Sequence, residues 1–224
     1  MWPRSTGELV DAQRALAAEA PPAWRPPAAT TPAIGACVVC FSRGQSGAGA
    51  AGDPAWAAGV VLRRRRVLAE SVLTGAAGGA YAPGLLALRE GALAQAVVEA
   101  LDVTPDVVLV DATGRDHPRR AGLALQLGAA LGLPTVGVTH RPLLASGAWP
   151  GPERGASGAL LLEGEHVGAW LRTRHGARPL AVHAAWRTDV DAAVAVVLAA
   201  TRGHRTPEPL RRARRLARVA RACA

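Results

Sequence analysis

The stretch that most constrains this chain is residues 107–122, with the sequence VVLVDATGRDHPRRAG. A β-branched run ends in Asp111, and a glycine turn, HPRR and an apolar helical pattern follow. This order is typical of a strand that leads into a helix, and open α/β sheets bind ligands beyond the carboxyl ends of such strands. A carboxylate there can hold a hard divalent cation, and Arg119 and Arg120 can pair with phosphate oxygens. The alternative is an N-cap aspartate followed by two solvated arginines.

The charge favours a polyanionic partner. The 224 residues include 26 lysines and arginines, all of them arginine, and the formal net charge is +9. A strongly basic globular chain is typical of nucleic-acid binding. A general compositional bias towards Arg, Ala and Gly explains the charge equally well, so composition alone leaves both interpretations open. With 50% hydrophobic residues, the chain is long and apolar enough for one domain with a core.

The sequence also restricts the compartment. No apolar run approaches the ~20 residues that a membrane span requires, and the N-terminus lacks the pattern of a signal peptide. We therefore expect a cytoplasmic monomer with no membrane partner. Three cysteines, an odd number, argue against a disulfide framework. Cys37 and Cys40 form C-x-x-C, but residues i and i+3 of a strand point to opposite faces, which favours two core thiols.

Hydrophobic periodicity predicts a mixed α/β fold. Three strands with short connections favour an antiparallel meander, at residues 33–42, 55–62 and 67–74. A parallel βαβ crossover is predicted from a strand, a helix and a strand that together span residues 107–139. Further strands are predicted at 159–163, 167–173 and 179–183, and further helices at 84–101 and 189–200. A ribonuclease-H-like mixed sheet with helices on both faces accommodates this order.

Glu90 is predicted to lie on the apolar face of the helix at residues 84–101, because it is spaced three to seven residues from Leu86, Leu93 and Val97. An unpaired carboxylate on a buried face is costly, so Glu90 should meet a cation or an arginine. Arg89 is its neighbour in sequence but does not share its face. We expect Glu90 and Asp111 to converge from a helix and from a strand end.

The chain divides into three predicted segments. Residues 1–33 contain a helix at 7–18, capped by Ser5 or Thr6, and then a proline-rich strap. Residues 34–213 form the main domain, and residues 214–224 form a basic C-terminal tail.

Four motifs in order resemble the endonuclease V family of repair nucleases. They are YAPGLLALRE (81–90), VDATGRDHPRRAGLALQLG (110–128), LPTVGVTH (133–140) and RTPEPLRRA (205–213). The first resembles the family's tyrosine wedge and Phe-Arg-Glu, and the second its Asp-Gly-His-Gly and His-Pro-Arg-Arg elements. With the first strand, the resemblance covers residues 34–213, and four weak motifs in order are a specific signal.

The resemblance implies a ribonuclease-H-like fold and a divalent metal, Mg²⁺ with Mn²⁺ as a substitute, held by Glu90 and Asp111. It also implies hydrolysis of a phosphodiester near a deaminated base such as hypoxanthine in DNA or RNA, with the base displaced into a pocket. His140 stands where the family has a catalytic-strand lysine and completes the implied catalytic set. The implied nucleic-acid contacts are Tyr81, Pro83, Gly84, His117, Arg119 and Arg120.

Two departures from the family pattern bear on activity. Cys37 stands where the first strand of the family carries a metal-binding aspartate, and a thiolate is a poor ligand for Mg²⁺. Trp186 stands where the motif Gly-His-Arg carries a histidine that we assign as catalytic, and tryptophan neither ligates nor moves a proton. The resemblance thus predicts a nuclease whose activity is reduced or lost, and the alternative is a relative that binds nucleic acid without cleaving it. Asp116, Asp189 and His183 lie near the altered positions, although surface or capping roles are favoured for them.

Overall fold

The computed structural model describes residues 1–26, 30–44 and 47–224. Residues 27–29 of the predicted strap and 45–46 of the glycine-rich loop after the first strand lie outside the described residues. Within the described ranges, eight strands and five helices alternate in the order α1 (Thr6–Ala18), β1 (Ile34–Phe41), β2 (Pro54–Arg63), β3 (Arg66–Ala76), α2 (Leu86–Glu99), β4 (Val107–Val110), α3 (Leu123–Leu131), β5 (Thr135–Thr139), β6 (Ser157–Leu162), β7 (Glu165–Leu171), β8 (Leu180–Ala184), α4 (Val190–Ala200) and α5 (Glu208–Ala222).

In this described part of the chain the strands form one mixed sheet in the order β3-β2-β1-β4-β5-β8-β7-β6. The predicted meander is confirmed, because β1, β2 and β3 pair antiparallel. The predicted parallel crossover is confirmed too, because β4 pairs parallel with both β1 and β5. Strand β8 runs antiparallel to β5, so its direction reverses that of β4 and β5.

Helices cover both faces of the sheet, as predicted. On one face, α1, α2 and α3 pack around a core that includes Leu9, Val97, Val108 and Leu125. On the other face, α4 and α5 pack on the alternate side chains of the same strands, including Val60 and Leu109. The core therefore lies in two layers, because alternate side chains of a strand point to opposite faces of the sheet and helices cover both faces.

The last helix, α5, forms because its small apolar residues recur at helical spacing. Leu210, Ala213 and Ala217 are buried against β1 and β2, whereas Arg215 and Arg218 are exposed to solvent. Residues 214–222, which the sequence suggested as a basic tail, therefore continue this helix. No helix of the described ranges is both long enough and apolar enough to span a membrane.

The N-terminal helix starts as predicted. The hydroxyl oxygen of Ser5 accepts a hydrogen bond from the backbone N–H of Glu8 at 3.2 Å, so Ser5 is the N-cap. Helix α3 begins at Leu123 with Gly122 as its cap, so the alternative interpretation of Asp111 as an N-cap residue is wrong. Asp189, in contrast, does cap α4 by accepting from the N–H of Ala192 at 2.8 Å.

Candidate active site

Several polar groups meet at the carboxyl ends of the parallel strands. Asp111 follows β4 directly, and His140 follows β5. Cys37 of β1 pairs with Val110, one residue before Asp111. The charges of Glu90 and Asp111 both raise the pKa of the Cys37 thiol, which burial and these charges bring to about 12. Both carboxylates act on the same buried thiol, and their convergence stays a prediction.

The Glu90 carboxyl is ionised with difficulty. Burial, and then the charge of Asp111, raise its pKa to about 8, against the smaller opposing effect of Arg89. Arg89 does not pair with Glu90, because its guanidinium donates to the carbonyl of Gly79 at 2.7 Å and to Asp53 at 3.0 Å. At neutral pH Glu90 is thus mostly a neutral acid unless a cation binds beside it.

Asp111 already has a cation beside it. Nη2 of Arg214, from α5, donates to Oδ2 of Asp111 at 2.6 Å. The Arg214 side chain is 22% exposed and that of Asp111 is 37% exposed, so the pair lies at the rim of the site. His140 interacts electrostatically with both members of this pair. The pKa of its imidazole is lowered, mainly by burial and by Arg205, while Asp111 opposes this effect and Arg214 adds to it.

Arg214 is a site residue that the sequence analysis missed. It follows Leu210 by four residues, and Leu210 is fully buried on the sheet-facing side of α5. Spacing of i and i+4 places two residues on one helix face, so this signal was available in the sequence. The signal was weak because the segment is rich in arginine. An arginine in such a segment is normally expected to face solvent and not to pair with a carboxylate.

The loop that carries Tyr81 is anchored through one carbonyl oxygen. The carbonyl of Gly84 accepts hydrogen bonds from Nε2 of Gln13 at 3.0 Å, Nη2 of Arg119 at 2.8 Å and Nε2 of His117 at 3.1 Å. Burial lowers the pKa of His117 to about 4, so its ring is neutral at pH 7. Gly84 adopts a φ of +75°, a conformation that favours glycine.

Tyr81 itself is 50% exposed beside this anchor. A cavity of about 160 Å³ opens next to it, and its lining includes Tyr81, Gly84, Asp111, His117, Gln126 and Leu143. That volume is below the range of about 300–1,000 Å³ that holds drug-sized ligands, and it suits one small ring system. We call it the Tyr81 cavity. Pro83, on the same loop, is exposed.

Of the predicted phosphate contacts, Arg119 and Arg120 are both engaged within the protein. Nε of Arg119 donates to the amide oxygen of Gln13. Arg120 donates to the carboxylate of Glu163 at 2.9 Å and lies 3.5 Å from that of Glu165. These contacts give both arginines a role in holding the loop and the β6–β7 turn in place.

The comparisons with known proteins decide the family. Residues 33–215 match the family model of endonuclease V. The chain belongs to the endonuclease V family. The endonuclease V of Streptomyces avermitilis is 42% identical over 170 residues, which are 75% of this chain and 74% of that protein.

Solved endonuclease V structures share the whole fold. A crystal structure from Streptomyces avermitilis superposes with a TM-score of 0.88 at 36% identity and covers 100% of this chain and 96% of its own. A Ciona intestinalis endonuclease V in complex with a 24mer DNA containing an inosine has a TM-score of 0.78 at 20% identity, with 96% of each chain covered. At that identity the second likeness establishes the fold alone.

Among these family departures, the assignment of Trp186 to the metal site is corrected by the structure. The backbone of Trp186 exchanges hydrogen bonds with Thr135, at the start of β5, whereas Asp111 lies level with the end of that strand. Three residues of strand rise separate the two levels, which is about 10 Å along the sheet. The antiparallel direction of β8 carries Trp186 to the opposite edge, where it packs with α3.

The other polar candidates do not replace the missing ligands. Asp116 is buried and accepts backbone hydrogen bonds from residues 143, 144 and 145, so it holds the loop after β5. Oγ1 of Thr139 and Nε2 of His183 are 2.8 Å apart, and Nδ1 of His183 lies 3.6 Å from Asp116. Asp116 and His183 are both fully buried. Asp189 caps α4.

The donor set of this site is poor for a hard divalent cation. In the described part of the chain, no group of three or more His, Cys, Asp or Glu side chains could hold a metal ion. Without a cation, burial raises the pKa values of Cys37 and Glu90, and Asp111 pairs with Arg214. Mg²⁺ is usually held by one or two carboxylates together with water and substrate phosphates, so Glu90 and Asp111 would have to supply the protein oxygens without a ligand from Cys37.

Proposed function

We propose that this endonuclease V family protein binds DNA or RNA at a deaminated base such as hypoxanthine and cleaves it far more slowly than its relatives. The observation that carries the proposal is the ion pair of Arg214 with Asp111, at the position where the family resemblance implies a metal ion. A guanidinium there provides a fixed positive charge, but it cannot activate a water molecule as a metal ion does.

Binding is supported by the part of the site that remains intact. Tyr81 is half exposed on an anchored loop, beside a cavity of the size of one ring system. Enzymes of this kind displace a base from the stack into such a pocket, and stacking on an aromatic side chain contributes about 1–3 kcal/mol per base. The net charge of +9 favours a polyanion. A Ciona relative has been solved with inosine-containing DNA, the ligand class that we propose.

A metal-dependent nuclease is the second candidate, with Mg²⁺ or Mn²⁺ held by Glu90 and Asp111 and with His140 nearby. The observation that favours it is the charge of Asp111, which adds to burial in raising the pKa of Glu90. A bound cation would relieve that repulsion.

The decisive experiment measures binding and cleavage on the same oligonucleotides. Single- and double-stranded DNA and RNA, with one inosine or with none, are incubated with Mg²⁺, with Mn²⁺ or with a chelator. We expect tighter binding to inosine in all three conditions, loss of that preference in Tyr81→Ala, and only trace cleavage. Equal affinity with and without inosine would overturn the binding proposal.

The cleavage arm separates the two candidates. Stoichiometric protein that cleaves within minutes would refute slow cleavage. Loss of this cleavage in Glu90→Ala or Asp111→Ala would support the metal-dependent nuclease. Val219→Ala serves as the control, because Val219 is 54% exposed on α5 and outside the site.

A further inference from the structure

A second, larger cavity lies beside the candidate site. Its volume is about 550 Å³, and His140, Arg141, Trp149, Trp170, Arg178 and Arg205 contribute to its lining. We call it the Trp149 groove. It lies near the Tyr81 cavity, because Thr139 lines that cavity and the next residue, His140, lines the groove. The two cavities therefore flank the end of β5.

The groove has the composition of a stacking platform. Trp149 is 54% exposed, which is unusual for so large an apolar side chain. Its ring is held by an edge contact with Trp170, with centroids 6.0 Å apart and an interplanar angle of 72°. The indole nitrogen of Trp170 donates to the carbonyl of Gly147 at 3.1 Å, so the supporting ring is fixed. The guanidinium of Arg178 lies over the Trp149 ring, 5.8 Å from its centroid. An exposed and fixed indole with an arginine beside it is where a nucleobase can stack.

The groove is also positively charged. Arg141, Arg178 and Arg205 all line it, and none of them takes part in an ion pair among the described residues. Nε and Nη2 of Arg205 donate to the carbonyls of Arg178 and Pro179 at 2.7 and 2.8 Å, which fixes its guanidinium beside a like charge. Burial and Arg178 lower the pKa of Arg205. An anion in the groove would relieve this repulsion.

We infer that the Trp149 groove binds one nucleotide of the single strand that continues from the displaced base, with its base stacked on Trp149 and its phosphate beside Arg141 and Arg178. The inference rests on the proposed function for the identity of the strand, but the contact itself does not need a deaminated base. Stacking and phosphate contacts are tolerant of sequence, so the groove should accept any base.

The test uses oligonucleotides in pairs, with and without inosine, and the variants Trp149→Ala and Arg178→Ala. Val219→Ala and Arg63→Ala are the matched controls, because Val219 is exposed on α5 and Arg63 ends β2 at the far side of the sheet. On single strands without inosine, we expect Trp149→Ala to weaken binding about tenfold, the effect of one stacked base. Arg178→Ala should weaken binding more than Arg63→Ala.

Scanning an abasic position along the inosine strand then locates the nucleotide. At one position, removal of the base should weaken the wild type about tenfold but leave Trp149→Ala unchanged. Quenching of tryptophan fluorescence by oligo(dT) should fall in Trp149→Phe, while binding persists. No such position, together with equal losses for Trp149→Ala and Val219→Ala, would overturn the inference.

The outcomes also distinguish this inference from the proposed function. Binding that depends on Trp149 but shows no preference for inosine supports the groove and refutes the displaced-base proposal. An inosine preference that Tyr81→Ala removes and Trp149→Ala leaves intact refutes the groove alone.

Discussion

Nη2 of Arg214 lies 2.6 Å from Oδ2 of Asp111, which joins the last helix to the end of the central strand β4. The pair is partly exposed, so its contribution to folding is small, since exposed ion pairs contribute about 0–1 kcal/mol. Its effect on the site is larger, because it removes the free charge of a carboxylate that a metal ion would otherwise use.

Removing the Arg214 partner of Asp111 should therefore strengthen the binding of a divalent cation at the site. We expect Arg214→Ala to cost less than about 1 kcal/mol in the free energy of unfolding and to increase the rise in Tm that Mn²⁺ produces. The measurement is thermal unfolding with and without millimolar Mn²⁺. Arg215→Ala is the control, because Arg215 is exposed on the same helix. Equal Mn²⁺ responses in both variants would show that Arg214 does not compete with a cation.

Restoring cleavage should require replacement of both Cys37 and Arg214. We expect Cys37→Asp with Arg214→Ala to nick inosine-containing DNA in Mn²⁺ at least tenfold faster than the wild type, because the pair adds an oxygen ligand and frees another. Cys37→Asp with Trp186→His should not do so, since Trp186 lies at the opposite edge of the sheet. Faster nicking by the Trp186 combination would contradict the position that we assign to this residue.

The pH dependence of stability should report on Glu90. Its folded pKa of about 8 exceeds the ordinary value of 4.5, so the folded state binds more protons than the unfolded state between these values. Stability from this group is thus present below pH 4.5 and is lost as the pH rises through 8. We expect Glu90→Gln to be more stable than the wild type at pH 9, on the order of 1–2 kcal/mol, and to differ little at pH 5. Denaturant unfolding at both pH values measures this, and a constant difference would refute it.

Anchoring of the Tyr81 loop should depend on Gln13. Gln13 is buried, and its amide contacts both Gly84 and Arg119. Gln13→Ala should cost about 1–3 kcal/mol, because the half-buried guanidinium of Arg119 and the carbonyl of Gly84 each lose a partner. It should also reduce the inosine preference more than binding to undamaged strands. Gln95→Ala, on the partly exposed side of α2, is the comparison for both unfolding and band-shift assays.

The elements of the fold could be predicted from periodicity because each has an apolar pattern of its own. The predicted helix at 84–101 is observed as Leu86–Glu99, and the strand at 33–42 as Ile34–Phe41. Helix α5 was underestimated, because alanines supply its buried stripe and arginines surround them. Alanine carries little apolar surface, so the stripe gives a weak signal in sequence.

The site was harder to predict, because it depends on strand direction. The order of motifs along the chain identifies Glu90 and Asp111, whose elements have fixed polarity in a parallel crossover. It does not reveal whether β8 runs with β5 or against it, and that choice decides at which edge Trp186 lies. The contact of Arg214 with Asp111 spans 103 residues and follows only from the packing of α5 on β1 and β2.

Helix α5 follows every other described element in sequence, yet it packs mainly on β1 and β2 and reaches Asp111. Synthesis proceeds from the N-terminus, so strands β1 and β2 leave the ribosome long before the helix that covers them. In the nascent protein the apolar face of these strands is exposed to solvent or to chaperones during that interval. The charge that Arg214 places beside Asp111 is therefore added only after the strands of the described sheet have been synthesised.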